Sequence, residues 1–265
     1  MRPIPVLLLT MACLAAAPAW KADLTSGKPG PHPAISPSTL DFTLSWKGML
    51  KAGALRIEFA PAGVVKPGLF VTKSSASSQG AAAVLFPYKH SYWSETDPVT
   101  LGAKFFHSTE DDAKESVVNT NRYRSASISV NEQTTTLKSK KVSTETYTFP
   151  FGPAHDMFSA ILYIRSQKLD VGEEHTLLLL PFKSAYLLEA RVDAKEKHMG
   201  RDTIRMSFSM RKIDRTTNEP KPYKKLRKPV TIWLSDDADR VPLELRAAVY
   251  IGDVRAVLTG FTKQP

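Results

Sequence analysis

The stretch Thr231-Ile232-Trp233-Leu234-Ser235-Asp236-Asp237-Ala238-Asp239-Arg240-Val241-Pro242-Leu243-Glu244-Leu245 decides the fold. Its apolar residues recur every second position, the period of a strand with one buried face. Between the two runs stands an acidic turn, and Asp is a residue hairpin connections favour because its side chain bonds nearby backbone. Ala247, Val249 and Ile251 continue the second run, and Gly252-Asp253 turns the chain into Val254, Ala256 and Leu258. The expectation is a three-stranded antiparallel meander at the C-terminal end.

The same period extends outward. Leu40, Phe42, Leu44 and Trp46 oppose Asp41, Thr43, Ser45 and Lys47, and Leu55, Ile57 and Phe59 follow after Gly48. Tyr186, Leu188, Ala190 and Val192, then Ile204, Met206, Phe208 and Met210, give two more amphipathic strands of an antiparallel sheet. Helical signals are few. Asp156 is placed as an N-cap before Met157-Phe158-Ser159-Ala160-Ile161-Leu162, whose i, i+4 pairs are Met157/Ile161 and Phe158/Leu162. One short helix over about 156–165 is predicted, with a weaker helical turn at Gly80 to Leu85. The polar stretches Ser108 to Asn121 and Thr216 to Lys228 read as loops.

At the N-terminus, Arg2, an apolar run from Val6 to Ala17 and the small-x-small triplet Ala17-Pro18-Ala19 predict a signal peptide over residues 1–19. An apolar run of about 12 residues is short of the roughly 20 a spanning helix needs. Cleavage after Ala19 would remove Cys13, the single cysteine. Acylation at Cys13 is the competing reading; Thr10 three positions before it and an apolar run continuing past it favour a soluble, periplasmic or secreted form. Residues 20–39, rich in Pro and Gly, read as an extended linker, and 40–262 as one β domain.

A chain of 265 residues with 42% hydrophobic residues is large enough for a substantial core, and its net charge of +10 favours anionic partners. No zinc-finger spacing or glycine-aromatic RNA-binding signature points to nucleic acid. The six histidines have no ligand spacing, and Asp236, Asp237 and Asp239 lack the Gly and distal Glu of a calcium loop, so a structural turn is the expectation and no metal or cofactor is expected. No Gly-x-Ser-x-Gly elbow or Ser-x-x-Lys signature is present, which argues against an enzyme. The densest basic run, Lys221, Lys224, Lys225, Arg227 and Lys228, reads as a solvated loop or as a contact for an anionic envelope surface.

Four blocks in order, Ser45 to Gly53, Asp156 to Gly172, Ile232 to Pro242 and Ile251 to Leu258, resemble the exported bacterial DUF3108 family. The resemblance implies an envelope protein with a strongly curved antiparallel sheet or open β-barrel, and it brings no catalytic residues. A curved sheet must cover its concave face with a helix, a loop or a ligand. With one helix available, the expectation is a face partly open to a hydrophobic, lipid-like envelope component, with Met157, Leu162, Trp233 and Leu245 as candidate lining. A fully packed assembly scaffold acting through its surface is the alternative, and an unrecognised hydrolase the third reading. The oligomeric state is not legible in the sequence.

Overall fold

The computed structural model describes residues 17–25, 27–32, 36–224, 226, 228–249 and 252–264. Eight strands follow one another as neighbours: β1 (Ser38–Trp46), β2 (Leu50–Phe59), β3 (Phe70–Ser78), β4 (Tyr88–Thr96), β5 (Ala103–Asp112), β6 (Glu115–Tyr123), β7 (Ile128–Thr136) and β8 (Val142–Phe149). After helix α2 (Met157–Ser166) come β9 (Glu174–Leu179), β10 (Tyr186–His198), β11 (Arg201–Ile213), a short β12 (Pro220–Pro222), β13 (Val230–Ser235), β14 (Pro242–Val249) and β15 (Gly252–Lys263). A six-residue helix α1 (Gly80–Leu85) lies between β3 and β4. All belong to one antiparallel sheet in the order β8-β7-β6-β5-β4-β3-β2-β1-β15-β14-β13-β11-β10-β9, with β12 on β11. The opening stretch of sequence forms the β13–β14 hairpin, where Ile232 faces Leu245.

The sheet wraps around α2. Phe158 and Leu162 pack into a cluster with Leu40, Phe59, Phe106 and Ile128, while Ala160, Tyr163 and Ile164 pack into a second cluster with Leu188, Val192, Ile204 and Met206. A helix gripped from both sides needs firm ends. At the N-cap, the Asp156 carboxylate accepts from the backbone N–H groups of Phe158 (2.7 Å) and Ser159 (2.9 Å), and Ser159 Oγ accepts from the Asp156 N–H, a reciprocal capping box. At the C-terminal end the buried Arg240 guanidinium donates to the carbonyls of Arg165 (2.6 Å), Gln167 and Lys168 (2.7 Å). It satisfies carbonyls the helix leaves without partners, with a positive charge where the dipole favours one.

Strand pairing does not close the barrel; side chains span the gap between β8 and β9. Tyr123 Oη donates to the Leu180 carbonyl (2.6 Å), Asn121 Nδ2 to that of Phe182 (2.9 Å), and Lys183 pairs with Glu132. The outer edge of β9 is also occupied: the His155 N–H donates to the Leu178 carbonyl (2.8 Å) and the His155 carbonyl accepts from the Leu180 N–H (2.8 Å), while the Thr25 N–H donates to the Thr176 carbonyl (2.9 Å) and its hydroxyl accepts from the Thr176 N–H (2.8 Å). Unpaired strand edges invite foreign strands, and these contacts remove that opening.

Two expectations are corrected. The described residues of 20–39 do not form a free linker: within a 3₁₀ turn (Ala19–Asp23), Trp20 is 3% exposed, packs edge-on to Phe151 and donates Nε1–H to the Asn218 carbonyl (2.8 Å). Gly30 also lies against Ser166, so closely that a β-carbon would collide with its carbonyl. Ser108 to Asn121 is not a loop but most of the β5–β6 hairpin. It escaped detection because its inward side chains, Ser108, Asn119 and Asn121, are polar yet fully buried, so no hydrophobic alternation marks it. Residues 1–16, which hold the expected signal peptide and Cys13, lie outside the described residues.

Candidate functional site

Between α2 and the concave face of the sheet runs an apolar groove of about 270 Å³. The helix contributes Met157, Ile161 and Ile164, one stripe at i, i+4 and i+7 spacing. The facing strands contribute Phe42 and Leu55 from β1 and β2, Phe208 and Met210 from β11, Val230 and Ile232 from β13, and Leu245 from β14, with Leu226 closing over one side. Arg165 and Glu244 are the charged residues on its lining. Each is engaged: Arg165 donates to the Asp239 carbonyl, and Glu244 bonds His198 (2.7 Å) and Arg246 (2.5 Å). Burial opposes ionisation of Glu244, but Arg246 and His198 outweigh it and hold its carboxyl below the usual range.

The groove is sealed at one end and open at the other. Along β11, Ile204 and Met206 are fully buried whereas Phe208 and Met210 are half-buried; along β13, Leu234 is buried whereas Ile232 and Val230 are half-buried. The mouth therefore lies where β11 ends and β13 begins, beside the connection that carries Leu226 and the basic run.

Of the residues expected to line a cavity, Met157 and Leu245 are on the groove and Leu162 and Trp233 are not. Leu162 belongs to the other helical stripe, with Phe158, and is buried in the core. Trp233 alternates with Ile232 and Leu234 and so points to the outer face. There it stacks on His198 (4.4 Å between ring centres), lies under the Arg246 guanidinium (4.7 Å) and donates Nε1–H to Glu196 (2.8 Å). The period-two pattern that placed Ile232 inward already excluded Trp233. Phe208, Met210 and Ile232 were legible in the same way.

Part of the inner face of β3 to β5 carries a polar cluster instead. Ser74 Oγ lies 3.3 Å from His90 Nε2, His90 stacks on Tyr92 (3.9 Å), and the Tyr88 and Tyr92 hydroxyls both donate to Glu110. Burial pushes the His90 imidazole down to about 4, so it is neutral at pH 7. The carboxylate in this cluster accepts from the two tyrosine hydroxyls, and Tyr88 Oη also lies 3.4 Å from His90 Nδ1.

Among the described residues no group of three or more His, Cys, Asp or Glu is placed to hold a metal ion. Asp237 instead stabilises its own turn, accepting from Ser235 Oγ (2.8 Å) and from the N–H groups of Asp239 (3.0 Å) and Arg240 (3.1 Å). In the basic run, Lys221 pairs with Asp214 (2.8 Å), while Lys224 and Lys228 are exposed with no carboxylate partner among the described residues. Lys225 and Arg227 lie outside the described residues.

An open, barrel-like antiparallel sheet wrapped on one capped helix, with an apolar groove between them, is the class this chain represents. Residues 41–259 match the family model "Protein of unknown function (DUF3108)", and the chain belongs to that family. Among solved structures it is similar to a β-barrel-like protein of the DUF1849 domain of unknown function from Brucella abortus, with TM-score 0.56, 10% identity, and coverage of 87% of this chain and 99% of that one. A protein with a YmcC-like fold from Bacteroides fragilis matches at TM-score 0.33 and 8% identity, over 89% of this chain and 100% of that one. No curated protein matches.

Proposed function

We propose that this chain is an exported, non-enzymatic envelope protein that binds or carries a hydrophobic, lipid-like molecule with its apolar part in the groove beneath α2. The observation that supports this reading is the groove itself: half-buried Met157, Ile161, Phe208, Met210 and Leu245 line a space of about 270 Å³ that the fold leaves unfilled. Ligand sites run from about 300 Å³ upward, so the volume suits a slender apolar chain rather than a bulky ring system. Its two charged lining residues, Arg165 and Glu244, are engaged with Asp239, His198 and Arg246.

The test is native mass spectrometry and lipid extraction of the chain from Trp20, purified from bacterial envelopes without detergent, alongside an Ile161→Trp variant that fills the groove. A near-stoichiometric co-purifying lipid, lost in the variant, supports carriage. An apo mass that does not change on incubation with envelope lipids sinks it and leaves the assembly-scaffold reading, in which only the outer surface makes contacts.

A further inference from the structure

We propose that one end of the barrel is a docking surface for an anionic lipid bilayer, and that docking there sets the mouth of the groove against the membrane. This goes beyond carriage, because it concerns where the protein sits rather than what the groove holds. The topology gathers the relevant segments. In a sheet of antiparallel neighbours, alternate connections share an end. The β1–β2, β3–β4, β5–β6 and β7–β8 tips therefore meet at one end, joined there by the β11–β13 connection that flanks the groove mouth.

These tips combine exposed apolar side chains with unpaired lysines. The first carries Met49, 84% exposed, and Leu50 beside Lys47. The β3–β4 tip is helix α1, which holds Val84 (81% exposed), Leu85 and Phe86 out in solvent and has no charged residue of its own. The β7–β8 tip carries Leu137 and Val142 beside Lys138, Lys140 and Lys141, and the β11–β13 connection carries Lys224 and Lys228. None of these lysines has a carboxylate partner among the described residues.

Carboxylates are present at this end but mostly committed. Asp111 pairs with Lys89 (3.3 Å), Asp214 with Lys221, and Asp112 accepts backbone N–H groups within its own turn; Glu115, Glu219 and Asp253 face solvent. The triple-aspartate turn, Asp236 to Asp239, sits at the opposite end, where β13 hands over to β14. Apolar tips set in a ring of lysines match what a bilayer surface offers, an acyl boundary beneath anionic headgroups. A soluble monomer has little reason to expose such a set together.

The experiment is vesicle flotation of the whole chain with phosphatidylethanolamine–phosphatidylglycerol vesicles, and with phosphatidylcholine vesicles for comparison. The expected result is binding to the anionic vesicles that falls steeply as salt is raised, and weak binding to the neutral ones. Replacing Lys138, Lys140 and Lys141 by Gln should weaken it on the order of a hundredfold, at roughly fivefold per charge. Replacing Val84, Leu85 and Phe86 by Ser should weaken it at least tenfold, while Val65→Ser with Val99→Ser, at the opposite end, should not; thermal melting verifies that all variants fold. No binding to anionic vesicles, equal binding to neutral ones, or equal loss from both ends would overturn the proposal. Lipid carriage is read separately from co-purifying lipid, so either idea can fail alone.

Discussion

Asp156 offers a demanding test of how α2 is held. Its carboxyl is fully buried and burial pushes it up to about 6, even though Ser94 Oγ (2.6 Å) and two backbone N–H groups stabilise the charged form. An acid whose folded pKa is raised is favoured by folding in its protonated form. That contribution is complete below the unfolded value near 3.8 and is lost as pH rises through about 6. At pH 8 the native state therefore carries a buried charge costing on the order of 2–3 kcal/mol relative to acid. Asp156→Asn preserves a cap acceptor, since Asn caps as well as Asp, and removes the charge. Denaturation in urea should show the Asn variant more stable than the parent by about 2 kcal/mol at pH 8 and equal to it near pH 4, with the slope against urea unchanged. Asp156→Ala, which also abandons the cap and the Ser94 hydroxyl, should lose about 2–4 kcal/mol near pH 4 and much less at pH 8. A difference between the Asn variant and the parent that does not change from pH 4 to pH 8 would refute the reasoning.

Other perturbations have equally definite outcomes. His155, pushed down to about 4 by burial, is neutral when folded, so its stabilisation is present above about 6.5 and lost as pH falls to 4; His155→Phe should flatten the acid side of a melting-temperature profile while leaving pH 8 nearly unchanged. Arg240→Met strips donors from three carbonyls at the end of α2 and should cost about 3 kcal/mol or more in chemical denaturation. Trp20→Ala should cost about 3–5 kcal/mol by the same measurement, a loss that would be absent if residues 20–39 were a free linker. Gly30→Ala should speed amide exchange at His32, whose N–H bonds the Ser166 carbonyl (3.0 Å), by displacing this segment from α2.

The strands with apolar alternation, β1, β2, β10, β11 and β13 to β15, were legible, as was α2 through its Asp156 cap. The β5–β6 hairpin was not, because Ser108, Asn119 and Asn121 are buried polar residues and a pattern built on hydrophobicity reads them as surface. The docking of Trp20 was hidden for a different reason: a Pro- and Gly-rich context signals irregular backbone, and irregular backbone can still lie on a core. Half of the groove was within reach. Met157 and Ile161 form a stripe visible in the sequence, but which of the two stripes of α2 faces the open side depends on how far the sheet curls around it, and no local pattern records that.

The pairing of β1 with β15, Ser38 opposite Lys263, imposes an order on folding. The eight strands from β1 to β8 are sequential neighbours and can zip together as they emerge, since closing short loops is fast. The second half enters the strand ladder through β15, so its backbone pairing with β1 forms only once the last strand has been made. Until then β1 presents a bare edge and the groove has only part of its floor. A chain emerging from its N-terminus thus spends its longest interval as a half-built sheet, and the final strand completes the core, the concave face and the cavity in one step.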